Sequence, residues 1–171
     1  MDQDYHDPPD GEASHSQSVT FSDRLSGPAA LGMYASQPYV YTIDNPRNQK
    51  FVQAFRTKYG REPGGPEEAT YVALAAINQA LTATGGKIEE KAKFLEALRH
   101  MDLEAPRGHV RFDTYQNIIT DVIITRIDRV GDQIVPVIVE TIPAVDQFLG
   151  MAPEAYIKRP RLVTLKGTFG K

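Results

Sequence analysis

Two stretches of this chain decide its fold: AFRTKYGREPGGPEEATYVALAAINQAL at residues 54–81 and PRGHVRFDTYQNIITDVIITRID at residues 106–128. In the first, apolar residues recur every three or four positions on both sides of a break rich in glycine and proline, which predicts two helices. The second is rich in β-branched residues and predicts strands. Helices that lead into a strand pair indicate a mixed α/β domain.

The first predicted helix has clear signals at both ends. Asp44 or Asn45 can cap its start, and Pro46 suits the first helical position. Gly60 is expected to end it in a left-handed conformation. Its apolar residues recur at a spacing of four and are Phe51, Phe55 and Tyr59.

The second helix is expected to begin with Glu67 and Glu68, whose charges suit the positive end of the helix dipole. Its apolar positions are Tyr71, Val72, Ala76, Ile77, Ala80 and Leu81. The many alanines imply a close approach to a neighbouring element. After a Gly-Gly pair, KIEEKAKFLEALRHM at residues 87–101 predicts a third amphipathic helix.

After the third helix the sequence period changes to that of strands. HVRFD places Val110 and Phe112 on one face, and NIITDVIITRI is apolar enough to be covered on both faces. Gly131 turns the chain into QIVPVIVETI, where Pro136 favours an edge strand because it cannot donate to a ladder. The last part of the chain predicts irregular structure that wraps the surface.

Composition excludes several classes of protein. The 171 residues are 41% hydrophobic and 24% charged, values typical of one globular domain. The net charge of −3 gives no support for binding nucleic acid, and the absence of cysteine excludes a disulfide framework. Residues 1–18 are polar and predict a flexible tail, residues 19–150 the α/β region, and residues 151–171 a C-terminal wrapping segment.

No catalytic or metal site is predicted. The four histidines, His6, His15, His100 and His109, have no ligand spacing. The glycines of GREPGGP lack a Walker lysine, so a phosphate cradle is not expected. A small α/β enzyme would need an acid, base or nucleophile that the sequence does not offer, and no cofactor is predicted.

One polar and aromatic cluster could bind a ligand. Tyrosines enclose apolar ligands while their hydroxyls, with serine and glutamine, bind polar heads, and strand exits are common binding places in α/β sheets. The alternative is that Tyr34 or Tyr41 simply packs in the core. The candidate ligand-binding residues are Tyr34, Ser36, Gln37 and Tyr39, within YASQPYVY.

A family resemblance rests on the order of several motifs. DNPRNQKFVQAFRTKYGREP, then EEATYVALAAINQAL, FLEALRHMDLEAPRGHVRFD and IITDVIITRI with QIVPVIVETIP follow one another. From about residue 27 to 150, this succession resembles the C-terminal part of the leucine/isoleucine/valine-type periplasmic binding proteins of ABC importers. The resemblance implies material of a type 1 periplasmic binding fold, in which two Rossmann-like lobes close on a ligand around a hinge. It also implies that Gly108 permits a sharp return of the chain.

The resemblance further implies a solute-binding protein without catalytic turnover, located outside the cytoplasm, which takes an amino acid, amide or aromatic acid and meets importer membrane subunits. Tyr71 matches a helix tyrosine of the family and joins the ligand-binding candidates. Val72 departs from the family, which often has an aspartate there. An alternative is a sensory or interaction domain of the same fold that takes no part in transport.

Relative to that family the chain lacks the N-terminal half, including a signal peptide. We therefore expect this chain alone not to form the whole ligand cleft. Self-association through exposed sheet edges is one way in which such a partial fold could be completed.

Overall fold

The computed structural model describes residues 27–159. The predicted tail at residues 1–18 and most of the predicted wrapping segment, residues 160–171, lie outside that range. A 3₁₀ turn at Gly27–Ala30 precedes the regular elements. The helices are α1 Pro46–Tyr59, α2 Gly65–Ala83, α3 Lys91–Arg99 and α4 Pro153–Ile157, and the strands are β1 Tyr34–Gln37, β2 Asp102–Ala105, β3 Gly108–Phe112, β4 Ile118–Val130 and β5 Gln133–Val145. None of these helices is long and apolar enough to cross a membrane.

Strand β4 is the central strand of the sheet and pairs with three of the other four strands. One of its edges pairs with β5, and the other pairs first with β3, at Ile118 and Ile119, and then with β1, at residues 123–126. Strand β2 pairs with β3, and every pairing among these five strands is antiparallel. The long strand β4 therefore joins the hairpin β2–β3 to β1 in one sheet.

Helix α1 has the ends that its sequence predicts. Asn45 is the N-cap, and its side chain accepts the backbone N–H of Asn48 at 2.8 Å. Pro46 occupies the first helical position. Gly60 ends the helix with φ 68° and donates its N–H to the carbonyl of Arg56 at 2.8 Å. The predicted caps are confirmed, and the choice between Asp44 and Asn45 falls on Asn45.

Helix α2 buries a narrow stripe at every fourth residue, made up of Glu68, Val72, Ala76 and Ala80. Tyr71 and Ile77, which are also apolar positions of this helix, lie on its exposed side. Val72 and Ala76 pack with Met101, Ala105 and Val110 in the main hydrophobic core. The small alanine side chains let the helix approach the hairpin closely, as predicted.

The hairpin β2–β3 was not predicted. Asp102–Ala105 forms a strand whose outer side chains are polar, and Pro106 and Arg107 make the turn to β3. Gly108 has φ 108°, a conformation that other residues rarely adopt, so the sharp return predicted at this position is confirmed. Val110 is fully buried and Phe112 half-buried, as their alternation predicts.

Two other boundaries differ from the sequence prediction. The third helix begins at Lys91 rather than at residue 87. The chain after residue 142 is not simply irregular, because β5 continues to Val145 and the short α4 follows. Aromatic contacts of Phe148 with Tyr115 and Tyr156, at centroid distances of 5.4 and 5.5 Å, hold this C-terminal part.

Pro136 lies where a missing N–H costs no ladder hydrogen bond. It is opposite Ile127, whose N–H and carbonyl bond to Met33 and Gly32 on the β1 side of β4. The backbone of Pro136 therefore faces away from β4, and its carbonyl accepts the hydroxyl of Thr42 at 3.0 Å. Within residues 27–159, β5 pairs only with β4, which confirms the predicted edge strand.

Candidate functional site

Strand β1 carries three of the five residues predicted to bind ligand. Tyr34 and Ser36 are exposed on one face of the strand, whereas Gln37 is half-buried on the other. The Gln37 side chain donates to the Thr125 hydroxyl at 3.4 Å, and Thr125 is fully buried. The antiparallel register places Tyr34 opposite Arg126. The guanidinium of Arg126 donates to the Asp128 carboxylate at 2.8 Å, and this bond, followed by hydrogen bonding with Tyr34, raises the pKa of the guanidinium. The exposed face of β1 is therefore the one that a ligand could reach.

Tyr39 lies inside the protein, with 2% of its surface exposed. Its hydroxyl donates to Oδ1 of Asn48 at 2.9 Å, and the Asn48 amide donates to the carbonyls of Tyr41 and Ile43 at 2.9 and 2.7 Å. Burial, followed by the nearby Glu68 carboxylate, raises the pKa of Tyr39. These bonds fix the chain between β1 and α1, and a ligand contact of Tyr39 stays a prediction.

The rings of Tyr71 and Tyr39 both pack against the ring of Phe51, which lies between them. The Phe51 ring lies 5.0 Å from that of Tyr71 and 6.3 Å from that of Tyr39. Phe55 continues the row along α1, and the guanidinium of Arg61 lies 5.0 Å from its ring. The structure thus divides the candidates into two groups: three on β1, and two around Phe51.

A buried ion pair lies beside the second group and was missed by sequence reasoning. The carboxylate of Glu68, fully buried on α2, accepts the backbone N–H of Arg107 at 3.3 Å and its Nε–H at 2.7 Å, and it also bonds to Nη2. Arg107 is itself 8% exposed. A signal was present: Glu68 continues the spacing of four set by Val72, Ala76 and Ala80.

The same hairpin turn also contacts α1. Asn45, the N-cap, donates its side-chain N–H to the carbonyl of Pro106 at 2.9 Å. Two consecutive turn residues, Pro106 and Arg107, are thus held by the starts of α1 and α2 respectively. Because buried polar groups that are fully paired define one arrangement of the elements around them, the turn has a fixed position relative to both helices.

The outer side of α2's first turn is also paired. Glu67 accepts the N–H of Gly64 at 2.9 Å and bonds to Arg61 at 2.7 Å. Partial burial alone would raise the pKa of Glu67, but the bonds from Arg61 and Gly64 outweigh it and hold that pKa below its usual value.

Ser36 borders a cavity of about 580 Å³ that is also lined by Val122 of β4, by the end of β5 and by the turn at residues 146–150. Its lining is mainly apolar and includes Val122, Ile142 and Leu149. The volume is in the range of small-molecule pockets. At this cavity a predicted ligand-binding residue lies on a concave surface.

The chain is similar to known transport receptors. A family model described as periplasmic binding protein matches residues 14–132. The Leu/Ile/Val-binding protein homolog 6 of Brucella abortus (strain 2308) is 35% identical over 102 residues, which are 58% of this chain and 26% of that protein. The chain thus spans about a quarter of the length of this curated relative.

Solved structures show the same likeness. An ABC transporter substrate-binding protein from Sphaerobacter thermophilus matches with a TM-score of 0.69 and 33% identity, over 73% of this chain and 35% of that one. A solute-binding protein of an ABC transporter from Rhodopseudomonas palustris BisB5, in complex with 3,4-dihydroxybenzoic acid, matches with a TM-score of 0.66 and 26% identity, over 70% of this chain and 33% of that one. The fold is therefore part of a type 1 periplasmic binding fold, and this chain belongs to the periplasmic binding protein family.

Proposed function

We propose that this chain is the solute-binding component of an ABC importer, or part of one, and that it acts outside the cytoplasm. Its solute is an amino acid, an amide or an aromatic acid. The family match over residues 14–132 carries the proposal, because proteins of this family are receptors rather than enzymes. The names of its relatives support both kinds of solute: branched-chain amino acids for one, a hydroxylated benzoic acid for another.

We propose that solute is bound by the exposed face of β1 together with the aromatic cluster around Phe51. Tyr34 and Ser36 present hydroxyls there, and Gln37 is held by Thr125 on the other face. Tyr71 is 46% exposed and offers a ring face for an apolar ligand body. Tyr39 would touch a ligand only if its ring left the interior.

The importer's membrane subunits are the protein partners in this proposal. Closure on solute would be a shift in population toward the closed state of a hinged fold. Self-association through a free sheet edge is a second proposed contact, and β5 is a poor edge for it. Pro136 faces outward without a donor, and Pro143 interrupts the same strand.

A thermal-shift screen tests this function. The 171-residue chain would be heated with amino acids, amides and aromatic acids in turn, and light scattering after size exclusion would give its oligomeric state. A ligand that binds only the folded protein must raise the melting temperature, by an amount that increases with its concentration. No shift with any compound in the three classes would contradict the proposal for this chain.

Two variants locate the site. Ser36→Ala removes an exposed hydroxyl and should weaken binding while the melting temperature without ligand is unchanged, because an exposed serine contributes little to stability. Tyr39→Ala should weaken binding while unfolding stays cooperative if Tyr39 contacts solute. Loss of cooperative unfolding in Tyr39→Ala would instead assign Tyr39 to the core.

A further inference from the structure

The net negative charge of this chain comes from its first thirteen residues. MDQDYHDPPDGEA contains five of the 22 acidic residues and none of the 19 basic ones. The rest of the chain therefore has 19 basic and 17 acidic residues, a net charge of +2 against −3 for the whole chain. This acidic segment, residues 1–13, also precedes the family match, which begins at residue 14. Blocks of like charge often serve as interaction segments.

Helix α1 has the opposite charge. Among the helices of residues 27–159, it alone contains basic residues and no acidic one. Arg56 is paired with Glu62 at 2.7 Å, and the ammonium of Lys58 lies 5.2 Å from the ring of Tyr59. Three exposed cations of α1 have no ion-pair partner in the described part of the chain, and together they form its cationic face: Arg47, Lys50 and Lys58.

The cationic face occupies one side of the helix. At about 100° per residue its three side chains fall within an arc of about 80°, away from the buried Asn48 and Val52. The exposed Ala54 lies between them and adds little bulk. The carboxylate that precedes the helix, Asp44, accepts the side-chain N–H of Gln49 at 2.8 Å. The three cations are therefore available to carboxylates from elsewhere.

The acidic segment matches this face in charge and in length. Three of its carboxylates recur every third residue, at Asp4, Asp7 and Asp10. On an extended chain the first and last of them are about 19 Å apart, and Arg47 and Lys58 are about 16 Å apart along the axis of α1. The connecting residues 14–26 can span about 45 Å, which exceeds the radius of gyration of about 14 Å expected for a domain of this size.

We propose that the acidic segment binds the cationic face of α1 in the same molecule. The other basic stretch, residues 87–99, is a weaker partner, because Glu89, Glu90 and Glu96 lie among its four cations. A tethered segment has an effective concentration of about millimolar, so a few weak ion pairs are enough to hold it. The contact is independent of solute binding, and it keeps other anionic surfaces away from α1.

Paramagnetic relaxation enhancement in the full chain tests the contact. The chain has no cysteine, so Gln3→Cys gives a single site for a nitroxide label. In low salt the amide signals of residues 47–58 should lose most of their intensity, while those of α3 keep theirs. At about 1 M salt the Debye length is only about 3 Å, so the lost signals should return.

Charge reversal on α1 separates this face from general attraction to positive charge. Lys50→Glu with Lys58→Glu should abolish the broadening of α1 in low salt. Lys91→Glu with Arg129→Glu is the matched control, because it makes the same change in net charge at exposed cations outside α1. The control should leave the broadening of α1 unchanged, and an equal loss in both variants would overturn the proposal.

Reversal on the segment completes the test. Asp7→Lys with Asp10→Lys should also abolish the broadening, and combining it with the double variant of α1 should restore it, which a loss of folding could not do. Labelled and nitroxide-bearing molecules are then mixed, with the nitroxide only on chains that lack the nitrogen isotope. Broadening of α1 in this mixture would place the segment on a second copy and overturn the proposal, as would the absence of broadening on α1 in low salt.

Discussion

Replacing Arg107 with methionine should strongly destabilise the protein, because it leaves the carboxylate of Glu68 buried without a cation. Glu68 is fully buried and takes two of its hydrogen bonds from the guanidinium of Arg107. Methionine retains an apolar stem of similar length but has no donor. The backbone N–H of residue 107, which bonds to Glu68 at 3.3 Å, remains in the variant.

The expected loss follows from the burial of the pair. Removing one partner of a buried ion pair costs about 3–5 kcal/mol, and the surviving backbone bond places this variant near the lower end, at about 3 kcal/mol. That is a large part of the ~5–15 kcal/mol that stabilises a typical domain. Replacing both residues, as Glu68→Leu with Arg107→Met, removes the stranded charge and should recover much of the loss.

Urea unfolding followed by far-UV circular dichroism measures these differences. Arg111→Met is the matched control, because Arg111 is an exposed arginine on the strand next to the turn and its loss should cost less than about 0.5 kcal/mol. The reasoning would be refuted if Arg107→Met unfolded within about 1 kcal/mol of wild type, or if the double variant were less stable than Arg107→Met alone.

Three further predictions concern the polar network and the helix ends. Because the pKa of Tyr39 is raised, the folded protein keeps a proton that the unfolded chain loses above pH ~10, and the free energy of unfolding should fall there by about 1.4 kcal/mol per pH unit. In urea unfolding at pH 9–11, the free energy of unfolding of Tyr39→Phe should therefore fall less steeply with pH than that of the exposed control Tyr115→Phe. Equal pH dependence of the two variants would contradict this. Asn45→Ala should cost about 1–2 kcal/mol by urea unfolding, because it removes both the α1 cap and the bond to Pro106, and a cost under about 0.5 kcal/mol would count against those bonds. Gly60→Ala should lower the free energy of unfolding by about 1 kcal/mol, because residue 60 has φ 68°, which is unfavourable for alanine. The added methyl group itself meets no atom within 4 Å, so the cost comes from the backbone alone. An unchanged melting temperature would show that the helix end relaxes at no cost.

Local signals were sufficient for both ends of α1 and for the presence of α2 and α3. Pro46 and Gly60 mark the ends of α1 by conformational preferences that need no tertiary contact, and both predictions are confirmed. The sharp return at Gly108 was instead implied by the family resemblance, and its φ of 108° agrees with it. The strand β2 was missed because it has only four residues and its outer side chains are polar, so that pairing with β3, rather than its own sequence, makes it a strand.

The buried face of each helix or strand was harder to predict than the helix or strand itself. The sequence could not show which face of α2 would be buried. Tyr71 is exposed, whereas the charged Glu68 is buried. Carboxylates are seldom buried in a core unless a cation pairs with them. The cation that pairs with Glu68 is Arg107, which lies 39 residues away along the chain. Burial of such a group is decided by its partner and not by its own polarity.

The amino-acid sequence by itself determined α1 with its caps, the presence of α2 and α3, the strand-rich second half and the family resemblance, because these depend on residue types at short spacing. Only the tertiary structure decided that Tyr39 lies inside with its hydroxyl on Asn48, that Glu68 and Arg107 meet, and that Ser36 and Asp146 border one cavity. Each of these is a contact between residues on different elements. Such contacts depend on how the elements pack, and short-range sequence patterns do not contain that information.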